Sequence, residues 1–430
     1  MFKSKKVYLI PIIGFSMIIL VSAILVYLPY FNYGGVSFRE ALFMSTSGLT
    51  TTGFIKRPII ETYNFWGQLV FAVEMEIGAL GFIIFISYFW IARNKKIKMS
   101  DLLVLSDSIN SEQFNIINEQ TKFILKYMFK VQIIGATLLC LKFIPIFGVG
   151  DGIWKSIFMA ISAFSNTGFD NLSSNSLVPF SNDIYIQLVV IFMMFCGSIG
   201  IFVVQDLMEN FKKGFSRLKL TTKIVLVYTA LLLIIPTIIL TVGNTHVSVL
   251  NALFSAVSAR SSGISIVNLS NLSISSKITL VLLMFIGGAP ASTAGGVRIT
   301  SIAVLLKTVK DTASGRSSVT MFGRRINESQ IRRAITILIM MLLVVVIGSS
   351  IFHVRTHDPD ALNVFVEVVS ALSNTGYSQY DYVNIDLIAE IVIISCMFIG
   401  RVGPLTIMAV VFASDKKKER FEYPGENLLF

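Results

Sequence analysis

Charge is scarce in this chain. Only 14% of its 430 residues are Asp, Glu, Lys or Arg, against 54% that are hydrophobic. That leaves too little polar surface to coat a globule, and with a mean hydropathy of +0.74 it excludes a soluble domain. Histidine is rarer still. The three present, His246, His353 and His357, do not form a metal-ligand spacing, and no nucleophile has an evident base beside it, so an enzyme is not expected. Cys140, Cys196 and Cys396 all lie inside apolar runs. They read as packing residues, neither a disulfide framework nor a thiolate metal site. Neither G-x-G-x-x-G after a strand nor G-x-x-x-x-G-K-[ST] occurs, so no nucleotide or other cofactor is expected on this chain.

What the chain has in abundance is apolar length. Runs near the roughly 20 residues that cross a bilayer fall at about 8–30, 65–92, 123–147, 185–207, 224–242, 278–306, 335–352 and 387–413. They predict an all-α integral membrane protein with eight spanning helices. The first run follows Lys3, Lys5 and Lys6 but is too long for a signal-peptide core and lacks a small-residue cleavage site, so a retained helix is expected. Basic clusters at 3–6, 93–98, 212–223, 310–333 and 416–420 occupy alternate connections, and acids such as Asp151, Asp170, Asp183, Asp358, Asp360, Asp381 and Asp386 occupy the others. The positive-inside rule then places both termini in the cytoplasm. The same rule accounts for the net charge of +11 through lipid headgroups, without a nucleic acid.

Four stretches repeat one pattern: ALFMSTSGLTTTGF at 41–54, IFMAISAFSNTGF at 157–169, ALFSAVSARSSGI at 252–264 and VEVVSALSNTGY at 366–377. Each sits between two apolar runs, so the unit is membrane helix, re-entrant half-helix, glycine turn, membrane helix. The turn glycines, Gly53, Gly168, Gly263 and Gly376, are followed 24 to 29 residues later by a second glycine cluster, as from Gly53 to Gly78 and Gly376 to Gly400. The repeats predict four units at 1–98, 99–209, 210–310 and 311–430, set with pseudo-fourfold symmetry around one pore. The second unit opens with a cytoplasmic segment, and the fourth carries a cytoplasmic linker and a C-terminal tail.

Irregular backbone at membrane depth must face a water-accessible cavity, since lipid cannot satisfy its polar groups. A half-helix aims its C-terminal carbonyls, the negative end of its dipole, inward, and glycine lets neighbouring carbonyls face an axis. Four such loops can form an oxygen ring that replaces the hydration shell of a large monovalent cation. The candidate selectivity filter is Thr50, Thr51, Thr52 and Gly53; Asn166, Thr167 and Gly168; Ser261, Ser262 and Gly263; and Asn374, Thr375 and Gly376.

Together with GGAPASTAGG and FIGRVGPLT, the motifs TTTGF, SAFSNTGF, RSSGI and ALSNTGY resemble the membrane subunit of the Trk/Ktr/HKT superfamily of potassium transporters, most closely its bacterial Ktr type. The resemblance implies potassium uptake across a bacterial cytoplasmic membrane, with K+ as the only metal, held at the filter. It also implies a homodimer above a cytosolic regulatory ring, octameric in the family, that binds ATP or ADP. Within the sixth run, Gly287, Gly288, Ala289, Pro290, Ala291, Ser292, Thr293, Ala294, Gly295 and Gly296 break the helix. From composition alone this is a kink or an intramembrane loop. The resemblance makes it a gate beneath the filter, with Arg401 facing it across the pore.

Other intramembrane charges are read less specifically. Arg260, three residues before Gly263, is expected to point behind the filter and tie its half-helix to an acid. Glu74 and Glu76 either attract cations or pair with Arg260. Segments 99–120 and 311–333 are candidate docking surfaces for the regulatory partner, the latter as a basic hairpin or helical extension. A sodium- or proton-coupled transporter without a channel-like open state is the alternative function, and sodium dependence stays open.

Overall fold

The computed structural model describes residues 5–81, 117–173 and 176–412. Segment 99–116, the basic clusters at 93–98 and 416–420, and the C-terminal tail lie outside the described residues. The architecture is helical and fourfold. Each quadrant opens with a long helix: α1 (Lys5–Tyr27), α4 (Ile117–Phe147), α8 (Leu220–Gly243) and α12 (Glu328–Thr356). A short half-helix follows in each, namely α2 (Phe38–Leu49), α5 (Val149–Ser165), α9 (Val249–Ala259) and α13 (Ala361–Leu372). At 11 to 17 residues and about 1.5 Å per residue, none of the four spans the roughly 30 Å hydrocarbon layer.

Local chemistry fixes where the half-helices begin. Ser37 and Glu40 form a reciprocal capping box at the start of α2, and Ser248 and Asp360 cap α9 and α13 through their side chains. Their inner faces are fully enclosed: Phe43, Phe158, Phe254 and Val368 have no exposed surface. The long helices show the reverse. Met17, Ile133, Ile234, Val346 and Ile347 are more than half exposed, an apolar outer belt that suits lipid rather than water. Three described helices, Thr121–Phe147, Leu220–Gly243 and Glu328–Thr356, are long and apolar enough to cross a membrane, and one bent pair makes a fourth.

The second helix of each quadrant departs from the expected continuous span. They are α3 (Phe65–Leu80), α6 and α7 (Ile184–Ser198 and Ile201–Asn210), α10 and α11 (Ile274–Ile286 and Ile299–Ala313), and α14 and α15 (Leu387–Val402 and Pro404–Phe412). The sequence predicts a break only in the third quadrant. In the structure α3 ends at Gly81, α6 bends by 95° into α7 around Gly200, and α14 stops at Gly403. These glycines have φ of 74°, 87° and 92°, a region closed to most side chains. A single glycine in an apolar run reads as packing, which is why these breaks are invisible without the backbone.

After α11, β1 (Thr320–Met321) and β2 (Arg324–Arg325) pair antiparallel as a small hairpin before α12. Segment 311–333 thus combines the two readings: α11 runs into it to Ala313, residues 320–325 form a hairpin whose apolar side is anchored, and α12 begins at Glu328. Val319, Met321 and Ile326 pack with Ile224 and Ala303, while Arg324 and Arg325 stay exposed.

Candidate functional site

The four glycine turns meet. The face of Gly53 on which a side chain would project lies against the carbonyl oxygen of Thr167; Gly168 faces that of Ser262, Gly263 that of Thr375, and Gly376 that of Thr52. The contacts run one, two, three, four and back to one, so the loops form a closed ring. All four glycines have positive φ, from 66° to 95°. The thirteen residues proposed from sequence lie together at this ring, and every threonine, serine and asparagine among them is at most 1% exposed.

Three of the loops share a second backbone feature. Two residues before the glycine, Thr51, Asn166 and Asn374 adopt φ of 53°, 55° and 50°, each a strained choice worth about 1–3 kcal/mol. Side-chain bonds hold two of them in place. Asn374 Nδ2 donates to Met397 O at 2.8 Å and to Thr52 Oγ1 at 3.0 Å, and Asn166 Nδ2 donates to Thr293 Oγ1 at 2.7 Å. The third loop is built differently. Its Ser262 and Gly263 amides both donate to Ser258 O, and Ser261 Oγ donates to Asn166 Oδ1 at 2.8 Å.

The second glycine clusters find their physical reason here. Gly78, Gly197 and Gly400 lie against the carbonyl oxygens of Leu49, Phe164 and Leu372, in each case the residue four before the turn glycine. Small residues let the second helix approach the end of the half-helix this closely.

In contact with these loops, residues 287–296 form an irregular strap, with Gly287, Ala291 and Gly296 at positive φ. Its amides at Ala289 and Thr293 donate to Ser198 O and Gly197 O at 3.1 and 3.2 Å, and Gly295 abuts Ser373 O. Two guanidinium groups hold it. Arg401 Nη1 donates to Thr293 O at 2.8 Å while Nη2 donates to Gly78 O, and Arg298 Nη1 donates to Ala289 O at 3.0 Å. Burying an arginine costs about 2.5–3.5 kcal/mol, and bonds to a charged group return about 1.5–3 kcal/mol each, so the two bonds of Arg401 offset its insertion. Arg298 did not enter the candidate site, although its signal, a charge inside an apolar run, is the one that marks Arg401.

Two expectations are corrected. Arg260 is buried at 1% exposure, but its Nε and Nη1 have no partner and no acid reaches it among the described residues. Glu74 is not its mate either: Ser22 donates to Glu74 Oε1 behind the first half-helix, where Gly48 makes room for the carboxyl. Glu76 likewise forms no ion pair among the described residues. A glutamate in an apolar run signals burial without revealing which neighbour lacks a side chain.

Residues 19–420 match the family model TrkH, described as a cation transport protein. The chain is 32% identical to the potassium/sodium uptake protein NtpJ of Enterococcus hirae, over 97% of this chain and 95% of that protein. It is 28% identical to the Ktr system potassium uptake protein B of Bacillus subtilis, over 95% and 94%. The crystal structure of the potassium transporter TrkH from Vibrio parahaemolyticus superposes with a TM-score of 0.78, covering 96% of this chain and 85% of that one at 17% identity, a likeness of fold.

Proposed function

The chain belongs to the TrkH family of cation transport proteins, and from that membership we propose that it takes up potassium through a channel-like pore whose filter is the ring of glycine turns. The observation that carries this reading is the closed cycle of contacts from Gly53 to Thr167, Gly168 to Ser262, Gly263 to Thr375 and Gly376 to Thr52. A ring of backbone carbonyls suits a dehydrated monovalent cation and offers nothing to a polyatomic substrate. The strap at 287–296 is the gate, held shut by Arg401 and Arg298. Its contacts with Ser373 O and with the Asn166 side chain, through Gly295 and Thr293, support a place immediately below the filter.

The partner in this reading is a cytosolic ring that binds ATP or ADP, docking on the exposed Arg324 and Arg325 of the hairpin beneath a homodimer. Support comes from the absence of a phosphate-binding motif in this chain and from relatives named for a Ktr system. The test is ion flux in proteoliposomes of the purified chain with single-ion substitution. Potassium uptake that proceeds without sodium or a proton gradient is the expected result. Uptake that saturates strictly with a second ion would instead establish the coupled transporter, and no potassium flux would end the reading.

A further inference from the structure

The quadrants are held together in two ways. Chain continuity joins the first to the second, the second to the third and the third to the fourth, but nothing covalent joins the fourth to the first. At the outer face the continuous seams use neutral hydrogen bonds. Trp154 Nε1 donates to Gln68 Oε1 at 2.8 Å across the first seam, the Leu177 amide donates to Ser265 O at 3.2 Å across the second, and the Tyr377 hydroxyl donates to Ile264 O at 3.4 Å across the third.

The open seam is charged. Arg39, in the first turn of α2, donates through Nε to Glu390 Oε2 at 2.5 Å and through Nη2 to Ile385 O at 2.7 Å. Lys56, three residues past Gly53, sets its ammonium 2.7 Å from Glu390 Oε1 as a close ion pair without hydrogen-bond alignment, and 5.3 Å from the centre of the Phe43 ring. The side chains of Glu390 and Lys56 are 1% and 4% exposed. Among the described residues no other ion pair joins two quadrants at the outer face.

The same seam reaches both adjoining loops. Tyr382 packs on Phe43 at 4.8 Å and Phe54 at 5.2 Å between ring centres, and its hydroxyl donates to Glu367 on α13. Glu367 also accepts from Ser378 Oγ at 2.5 Å and from the Gln379 amide at 3.3 Å, just past Gly376. Its register is telling. Glu367 lies nine residues before its turn glycine, where the other quadrants carry Met44, Met159 and Phe254. In the first quadrant the matching amide, that of Lys56, meets only the Met44 sulfur, at 3.4 Å.

We propose that Glu390, with Lys56 and Arg39, is a clasp that closes the ring of loops and sets cation selectivity by fixing the spacing between the first and fourth turns. This rests on the reading of the glycine ring as the filter. A buried ion pair contributes little net stability compared with an apolar pair of equal volume, and its best-attested use is to fix register. Register is what the one seam without chain continuity lacks. Glu390, Lys56 and Arg39 touch no ion; they are positioning residues.

The test compares potassium and sodium uptake in proteoliposomes of wild type, Glu390→Gln, Lys56→Met and the doubly neutral Lys56→Met/Glu390→Met, with unfolding temperature in detergent measured alongside. The double variant keeps volume without charge and is expected to fold. A fall in the potassium-to-sodium ratio of roughly fivefold or more, the lower range for coupling between separate sites, is expected in all three. Folded variants with the wild-type ratio, whatever their unfolding temperature, overturn the clasp. Wild-type vesicles without selective uptake would instead sink the filter reading and the clasp with it.

Discussion

Gly53, Gly168, Gly263 and Gly376 are constrained twice, by positive φ and by a neighbouring carbonyl where a side chain would stand. Gly53→Ser and Gly376→Ser therefore both strain the turn and push the next loop outward. Each is expected to lower the potassium-to-sodium permeability ratio in liposomes, and wild-type ratios in both would remove these glycines from the filter. Gly78, Gly197 and Gly400 are constrained by space alone, being helical residues packed on a carbonyl. Alanine at Gly78 or Gly400 overpacks a tight contact at a cost of about 1–3 kcal/mol. The unfolding temperature should drop by several degrees, and an unchanged temperature would show that the helix can simply step back.

At the scale of elements, the strap and the hairpin answer to different chemistry. If the strap blocks the pore, shortening 287–296 and replacing Arg401 by alanine should each speed potassium uptake. Shortening removes the obstruction, whereas the alanine removes a cation whose repulsion of a passing ion at 4 Å is about 4 kcal/mol at an effective dielectric near 20. Faster uptake at constant selectivity places the barrier below the ring; unaltered uptake in both variants makes the pair structural. The hairpin hangs on Asp311, whose carboxylate accepts from Lys307 Nζ at 2.6 Å and from the Thr320 amide at 3.2 Å. The Lys307 bond chiefly holds its pKa below the ordinary carboxylate range; burial opposes this, and the Thr320 bond and the Lys307 and Arg316 charges add to it. A depressed folded-state pKa means stabilisation that is present above the unfolded value of about 3.9 and lost as pH falls through the folded one. Protection of the Thr320 amide from hydrogen exchange should hold down to that range and then fade. In Asp311→Asn the protection should already be low at neutral pH and lose its pH dependence; full protection there would take Asp311 out of the hairpin's support.

Seen whole, the molecule was largely legible in its repeats. The phase of the turn glycines and of the glycines 24 to 29 residues later reflects real contacts, Gly53 with Thr167 and Gly78 with Leu49 among them. Less visible was whatever depends on which neighbour a side chain meets. Arg260 promised an acid and met none among the described residues, Glu74 found a serine, and Glu390 found Lys56 across 334 positions of chain. Arg324 and Arg325 are exposed on the hairpin, and if the proposed cytosolic nucleotide-binding partner docks there, reversing both to glutamate should weaken co-purification with it while leaving the membrane fold intact. Undiminished co-purification would clear the hairpin of that role. Finally, the four turn contacts all point the same way round, each loop leaning on its successor and the last leaning on the first. Such an arrangement works like the overlapping blades of a camera iris: no blade can tilt without its neighbour yielding, so the aperture keeps or loses its diameter as a whole, and damage to one blade is felt on the far side of the opening.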